Sequence, residues 1–226
     1  MPVFRDRSEA GRALAQRLVH YTDLGVLVLA LPRGGVPVAF EVAERLAAPL
    51  DVFLVRKLGV PGHEELAMGA IASGDVEILN EPLITRLGIS RRLVDDAITR
   101  ERRELLRREQ SYRDGRPPPD VAGRTVILID DGLATGSTMK AAVAGLRKLG
   151  PGRIVVAVPV AAPEACAELG AEVDEMVCLA TPSPFHGVGL WYADFRQTDD
   201  TEVHALLLAA ARRMSTEPAK THPTGA

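Results

Sequence analysis

The sequence predicts an α/β fold in which a parallel, doubly wound sheet carries helices on both faces. Short apolar runs rich in β-branched residues alternate along the chain with segments of helical period, and this alternation is typical of β-α-β units. The runs VILI and IVVAVPV are apolar throughout, as expected of strands that are buried on both faces. A chain of 226 residues, 46% hydrophobic and 25% charged, has the size and composition of one large globular domain.

Helical and extended segments alternate through the first half of the chain. Leu14 and Leu18 are four residues apart, which is the spacing of one helix face, and the apolar run GVLVLAL ends at a turn of Pro, Arg and two Gly residues. Two extended runs flank Gly74 and Asp75, which predicts a short hairpin. The predicted elements are helices over 7–20 and 36–47, strands over 25–31 and 51–55, and hairpin strands over 67–73 and 76–79.

A long charged helix is predicted for the middle of the chain. Ser90 is its N-cap, Val94 and Ile98 lie on one apolar stripe, and the helix reaches about Arg113. Farther along, Pro163 suits the first turn of another helix. The other predicted elements are strands over 125–129, 153–160 and 174–179, and helices over 136–150, over 163–170 and from about 199 onward.

No repeat or linker divides the chain, so we expect one domain over 1–214. The polar, Pro-containing segment 215–226 has the composition of a disordered tail. The N-terminal residues carry charges where a signal peptide needs an apolar core, and the longest apolar runs are much shorter than the roughly 20 residues that span a bilayer. The chain is therefore expected in the cytoplasm, without a membrane partner.

Charge and cysteine content argue against several classes of function. The net charge is −3 and aromatic residues make up 4% of the chain, whereas nucleic-acid binding needs a basic surface or an aromatic stacking platform. Cys166 and Cys178 are the two cysteines, which is too few for a disulfide framework or a four-cysteine zinc site. We therefore expect no nucleic-acid partner and a small-molecule ligand.

The segment with the clearest chemistry is VILIDDGLATGST at 126–138. Asp130 and Asp131 stand at the carboxyl end of a strand, where open α/β sheets bind their ligands. The turn that follows has small side chains, and its backbone amides at a helix N-terminus, with the hydroxyls there, form a cradle for phosphate. The residues of this phosphate cradle are Ala134, Thr135, Gly136, Ser137 and Thr138.

A phosphate cradle beside two carboxylates requires a ligand with a phosphate and either neighbouring hydroxyls or a metal ion. Ribose 5-phosphate meets this requirement, because its phosphate can occupy the cradle while its 2- and 3-hydroxyls donate to Asp130 and Asp131. The alternative is a strand–turn–helix with two solvated acids at its tip. A P-loop is not formed, since the spacing from Gly132 to Gly136 is one residue short and Ser137 replaces the lysine.

The segment 126–138 resembles, along its whole length, the phosphoribosyl-pyrophosphate signature of type I phosphoribosyltransferases, and the order of elements fits that family from about residue 1 to 212. The resemblance implies Mg²⁺-dependent transfer of ribosyl 5-phosphate from phosphoribosyl pyrophosphate to a nitrogen acceptor, with release of pyrophosphate. It also implies that Asp130 and Asp131 are catalytic and hold Mg²⁺ through water as well as the ribose hydroxyls. A homodimer is compatible with it. The overall likeness is to phosphoribosyltransferase-like proteins that are sometimes fused to hydrolase domains.

Two basic segments agree with this resemblance. Arg33, Gly34 and Gly35 follow the first strand, where the family carries its pyrophosphate loop, although a Gly pair there is more often only a turn. Glycines let backbone amides approach phosphate closely, and Arg33 can pair with it. Arg56 and Lys57 follow the second strand and are expected to face the same crevice. There they would neutralise the leaving pyrophosphate, with Lys57 as a catalytic residue; a solvated basic pair is the alternative.

The segment 58–66, LGVPGHEEL, lies where the family has a flexible lid. A lid would exclude water from a reactive sugar cation. His63, Glu64 and Glu65 would act there, although ordinary surface charge is the simpler interpretation of these three residues.

The segment 181–197 concentrates aromatic residues in an aromatic-poor chain. In the family, the residues after the last strand help to build the hood that holds the acceptor base, and we use the name hood for 181–197. Phe185 or Trp191 would stack on the acceptor ring, and Asp194 would orient it. Packing of Trp191, Tyr192 and Phe195 in the core is the competing interpretation.

No motif assigns the acceptor to uracil, orotate, adenine or hypoxanthine enzymes, and the helix 90–113 lies outside the minimal core of the family. The aromatic hood favours a nucleobase-like heterocycle as the small-molecule acceptor. Two classes of function stay open at this point. One is a transferase, and the other is a non-catalytic regulator of the same fold that binds phosphoribosyl pyrophosphate or a nucleotide.

Overall fold

The computed structural model describes residues 3–216. Its strands are β1 (Leu27–Ala30), β2 (Leu50–Val52), β3 (Val55–Val60), β4 (His63–Ala72), β5 (Val76–Leu79), β6 (Thr125–Ile129), β7 (Arg153–Val160) and β8 (Glu175–Ala180). Its helices are α1 (Arg7–Arg17), α2 (Gly35–Leu46), α3 (Glu81–Arg86), α4 (Arg91–Arg113), α5 (Ser137–Lys148), α6 (Pro163–Gly170) and α7 (Asp200–Thr216).

Five strands form a sheet in the order β2-β1-β6-β7-β8, and every neighbouring pair in it is parallel. Successive side chains point to opposite faces of the sheet. Val28 and Ile127 pack in one core with residues of α1, α2 and α7, whereas Leu29 and Leu128 pack in a second core with residues of α5 and α6. The predicted doubly wound α/β fold is confirmed.

The predicted strand 51–55 is wrong in its extent, because the chain leaves the parallel sheet after Val52. Leu54 N donates to Ser73 Oγ at 2.9 Å, and Ser73 N donates to Leu54 O at 2.9 Å. These two bonds lead the chain into a second, antiparallel sheet of order β3-β4-β5. The residues after Val52 therefore belong to a separate layer.

Both connections of the second sheet are hairpins. The predicted hairpin at Gly74 and Asp75 is confirmed, because Ala72 pairs with Val76 across a three-residue connection. Gly74 and Asp75 have positive φ angles of 80° and 60° in this connection. The predicted lid segment 58–66 contains the end of β3 and the start of β4. It forms an antiparallel hairpin that extends the second sheet.

The long helix α4 is confirmed, with Ser90 as its N-cap accepting from Leu93 N. Near its other end, Arg113 is only 4% exposed. Arg113 donates to Asp51 Oδ1 at 3.0 Å and to Val52 O at 3.1 Å. The helix is thereby attached to the edge of the parallel sheet.

Both ends of the described chain differ slightly from the predicted bounds. The first helix ends at Arg17 and is followed by a 3-10 turn, Val19–Tyr21. The last helix, α7, continues to Thr216, so the predicted boundary at 214 lies inside its final turn. The remainder of the predicted tail, 217–226, lies outside the described residues. Within 3–216, no helix is long and apolar enough to cross a membrane.

Candidate functional site

Two loops meet at the carboxyl edge of the parallel sheet, because β1 and β6 are neighbours in it. The glycine pair after β1 packs directly on the acidic pair after β6. A Cβ on Gly34 would lie 2.1 Å from Asp131 Oδ2. A Cβ on Gly35 would lie 2.7 Å from Ile129 O. Only glycine allows this approach, so the structure brings the predicted pyrophosphate loop and the predicted acids together.

Asp130 lies in the crevice with one carboxylate oxygen unused. Its Oδ1 accepts the backbone N–H of Asp131 at 2.8 Å, and this is the one hydrogen bond to its side chain within residues 3–216. Burial, followed by the negative charge of Asp131, raises the pKa of the Asp130 carboxyl well above its ordinary value. The second oxygen is the right acceptor for a ligand hydroxyl or a metal-bound water.

Asp131 is already bound by a cation that sequence reasoning missed. Arg7 Nε and Nη2 each lie 2.8 Å from Asp131 Oδ2, and the two side chains are 11% and 14% exposed. The hydroxyl of Tyr192 donates to Asp131 O at 2.6 Å. Burial raises the pKa of the Asp131 carboxyl, although the charge of Arg7 opposes the rise. The two acids therefore have different surroundings.

The phosphate cradle has the predicted position at the start of α5. Gly136 has a positive φ of 68°, and the first amides of the helix that follows have no partner within the helix. The hydroxyls of Thr135 and Ser137 lie 3.1 Å apart. Lys57 Nζ donates to Ser137 Oγ at 3.2 Å, so a positive charge lies beside the cradle.

Lys57 lies in a different element from the one that the sequence predicts. Lys57 lies within β3 of the antiparallel sheet, because the parallel strand before it ends at Val52. Its ammonium group consequently reaches the phosphate cradle at Ser137. The predicted role of Lys57 as a catalytic residue at the leaving pyrophosphate stays a prediction.

Arg56 is in the same strand but has different partners. Its Nε donates to Glu101 of α4 at 2.9 Å. It also lines a small recess with Pro32, Thr138 and Arg108. Arg56 therefore lies beside the predicted pyrophosphate loop, and its charge is shared with the long helix.

Arg33 belongs to this loop, and the Pro32–Arg33 peptide bond is cis. Its positive charge acts on Tyr112 of α4, whose hydroxyl donates to Asp200 Oδ1 at 2.6 Å. Burial and this hydrogen bond raise the pKa of Tyr112 to about 12, while the positive charges of Arg108 and Arg33 lower it. The long helix also supplies Arg108 to the recess lined by Pro32 and Thr138, a position that its sequence did not indicate.

The hood presents two of its rings as a stacked pair. The centroids of Phe185 and Trp191 are 6.4 Å apart, with 22° between the ring planes. Trp191 Nε1 is buried and has no hydrogen-bond partner among residues 3–216. Tyr192 is 4% exposed and packs on Phe195 at 5.1 Å between centroids. The core-packing interpretation is confirmed for Tyr192.

Asp194 lies on another side of the hood. Its side chain is 51% exposed, and its carboxylate lies near Arg196. It lines a cavity together with Arg7, Arg196 and Glu202. The acceptor role proposed for Asp194 is untested by this arrangement and stays a prediction.

The hairpin that holds the predicted lid segment has an exposed tip at His63, Glu64 and Glu65. The register of β3 against β4 shifts at Gly59, where a Cβ would lie 2.8 Å from Glu64 O. The glycine is required by this close approach. Movement of the hairpin as a lid stays a prediction.

The residues at the crevice fit a magnesium ion that arrives with a phosphorylated ligand. In the described part of the chain, no group of three or more His, Cys, Asp or Glu residues could hold a metal ion by itself. Mg²⁺ usually takes one or two carboxylates and completes its shell with water and ligand phosphates. The unused oxygen of Asp130 is such a donor, whereas Arg7 occupies Asp131 Oδ2.

Comparisons with known proteins agree with this geometry. A family model, the phosphoribosyl transferase domain, matches residues 7–190. A protein of Mycobacterium tuberculosis, named as a phosphoribosyl transferase without proven activity, is 47% identical over 212 residues, which cover 94% of this chain and 48% of that protein. This chain therefore spans about half the length of that curated relative. The bifunctional protein PyrR of Chloroflexus aurantiacus is 36% identical over 129 residues, which cover 56% of this chain and 65% of that protein.

A solved structure shows the same fold over nearly its whole length. The crystal structure of the protein TT1426 from Thermus thermophilus matches with a TM-score of 0.82 and 44% identity, covering 92% of this chain and 99% of that one. The predicted fold and the predicted resemblance are both confirmed. The chain belongs to the phosphoribosyl transferase family.

Proposed function

We propose that the protein transfers ribosyl 5-phosphate from phosphoribosyl pyrophosphate to a nitrogen atom of a nucleobase-like heterocycle and releases pyrophosphate. The observation that carries this proposal is the unused carboxylate oxygen of Asp130. It lies at a strand end between a phosphate cradle and a glycine loop, so one sugar phosphate can contact all three.

Each part of the donor has a matching group on the chain. The 5-phosphate would accept hydrogen bonds from the first amides of α5 and from the Thr138 hydroxyl, beside the ammonium group of Lys57. A ribose hydroxyl would donate to Asp130. The pyrophosphate would lie against the amides of Gly34 and Gly35, with Arg33 as the nearest cation of the loop.

The chemistry assigned to these residues is positioning and stabilisation of charge. Breaking the C1–O bond builds positive charge on the sugar, as in glycoside cleavage, and leaves negative charge on pyrophosphate. Amides and cations that are already in place stabilise the leaving group without reorganisation. Mg²⁺, when bound, would neutralise part of the charge on the pyrophosphate oxygens.

The hood supports a planar acceptor. A stacked Phe185 and Trp191 pair offers an aromatic face, and stacking on such a face contributes about 1–3 kcal/mol per base. Ammonia offers no face for stacking.

Calorimetric titration with phosphoribosyl pyrophosphate, with and without Mg²⁺, tests the first half of this proposal. We expect saturable binding that is tighter with Mg²⁺. The absence of binding in both conditions would contradict the proposed function. Binding without pyrophosphate release in the presence of any acceptor would favour the regulator.

A further inference from the structure

We infer that Arg7 is a positioning residue that transmits occupancy of the sugar site to the hood. The inference rests on the proposed function, in that it takes ribose 5-phosphate as the ligand of the acidic pair. It assigns a role to a residue outside the signature segment 126–138.

Arg7 contacts the strand end on one side and the hood on the other. Its Nε donates to Asp131 Oδ2 at the strand end, and its Nη2 lies 2.8 Å from the same oxygen. Its Nη1 donates to Arg196 O in the hood at 2.8 Å. The guanidinium carbon lies 4.0 Å from the centroid of the Phe195 ring. All three guanidinium nitrogens and the face of the group are therefore engaged, so Arg7 cannot adjust to one partner without disturbing the others.

Phe195 connects this contact to the stacking platform. A Cβ on Gly189 would lie 2.7 Å from the Phe195 ring, which shows that the ring lies directly on the backbone of that residue. Gly189 belongs to the 3-10 turn Val188–Trp191. A displacement of Phe195 must therefore move the turn that carries Trp191.

The segment that leads into Arg7 is joined to the same part of the hood. Val3 N and Phe4 N donate to Trp191 O at 2.9 Å and 3.0 Å, and Ala193 N donates to Phe4 O at 2.8 Å. The residues before α1 and the hood consequently form one unit. This unit contacts the strand end through the ion pair between Arg7 and Asp131.

Arg7 contacts Asp131 at Oδ2, so a sugar hydroxyl that donates to this oxygen competes with Arg7 for it. The weakened ion pair lets the guanidinium move on Phe195, and the hood turn moves with it. Binding of the sugar phosphate would in this way adjust the acceptor wall before the acceptor arrives.

The single tryptophan of the chain, Trp191, reports this coupling directly. Ribose 5-phosphate is titrated against wild type, Arg7→Lys and Phe195→Leu, with calorimetry for binding and Trp191 emission for the hood. Lysine retains the positive charge beside Asp131 but cannot also donate to Arg196 O and lie flat on Phe195. We expect an emission change in wild type and loss of most of that change in both variants, while calorimetry still detects binding.

Two controls make the result specific. Arg12 lies on the same helix as Arg7 and forms an exposed ion pair with Glu41 of α2. Arg12→Lys alters this pair and should leave the emission change intact. Inorganic phosphate fills only the cradle and should not change emission in wild type; a change with phosphate alone would overturn the coupling. So would ribose 5-phosphate binding with unchanged emission, or an unchanged response in Arg7→Lys. Failure of wild type to bind ribose 5-phosphate would instead overturn the proposed function.

Discussion

At the scale of single residues, the adjacent acids Asp130 and Asp131 have opposite electrostatic balances. Asp131 has a guanidinium partner at 2.8 Å. Burial and the negative charge of Asp131 disfavour the charged form of Asp130. A buried charge without a cation destabilises the fold, while a broken buried ion pair leaves the other charge uncompensated. Substitution of the two acids should therefore change the free energy of unfolding in opposite directions.

We expect Asp130→Asn to raise the free energy of unfolding by about 0.5–2 kcal/mol, as removal of a functional but unfavourable group does, and to abolish binding of ribose 5-phosphate. Asp131→Asn should lower the free energy of unfolding by about 3–5 kcal/mol, because Arg7 then loses its partner. Urea denaturation at pH 7 with calorimetry checks both. A destabilised Asp130→Asn variant would show that Asp130 has a structural role.

The raised pKa of Asp130 also predicts a pH dependence. In the folded protein Asp130 keeps its proton at pH values where an unfolded Asp, with a pKa of about 3.9, has lost it. The unfolded state then binds fewer protons, so stability falls as pH rises between the two pKa values. The difference in unfolding free energy between Asp130→Asn and wild type should grow with pH in this window; a constant difference would contradict the raised pKa.

Lys57 gives a test of the phosphate cradle. Lys57→Gln removes the charge beside Ser137, and loss of a charged hydrogen bond costs about 1.5–3 kcal/mol, which is about a 10- to 150-fold weaker Kd for ribose 5-phosphate. Lys148→Gln is the matched control, since Lys148 lies in the last turn of α5 and donates to Glu77 O. Equal affinities of the two variants for ribose 5-phosphate would show that Lys57 does not contribute to the phosphate cradle.

At the scale of elements, the inserted helix α4 is attached to the sheet by Arg113. This side chain is 5% exposed and pairs with Asp51 and Glu109 at 3.0 Å each. Arg113→Met should lower the free energy of unfolding by about 3–5 kcal/mol, because two buried carboxylates lose their cation. Arg107→Met, which breaks an exposed pair with Glu104, should change it by less than about 1 kcal/mol. Similar unfolding midpoints for both variants would contradict this attachment.

The strands of the two sheets differ in how well the sequence predicts them. The strands of the parallel sheet are predicted well, because burial on both faces requires unbroken apolar runs. Of the second sheet, the sequence predicts only the hairpin at Gly74. Its strand β3 begins inside an apolar run, and the bonds between Leu54 and Ser73 that divide the run join residues 19 apart in the sequence.

At the scale of the whole molecule, the predictable part of the site is the part that is contiguous in sequence. The acids and the cradle lie within 126–138, so residue type and spacing suffice to predict them. Arg7 reaches Asp131 across 124 positions, and Lys57 reaches Ser137 across 80. Such contacts depend on how α1 and the second sheet pack on the crevice, which no local pattern expresses.

Transfer of the ribosyl group is the central step of the proposed function, and pyrophosphate release measures it most directly. Release from phosphoribosyl pyrophosphate with Mg²⁺ is followed against purines, pyrimidines and pyridine carboxylates, for wild type, Asp130→Asn and Trp191→Ala. We expect one class of heterocycle to accelerate release by wild type and both variants to lose the acceleration. Binding of phosphoribosyl pyrophosphate without acceleration by any heterocycle would contradict the proposed function and leave the chain a regulator.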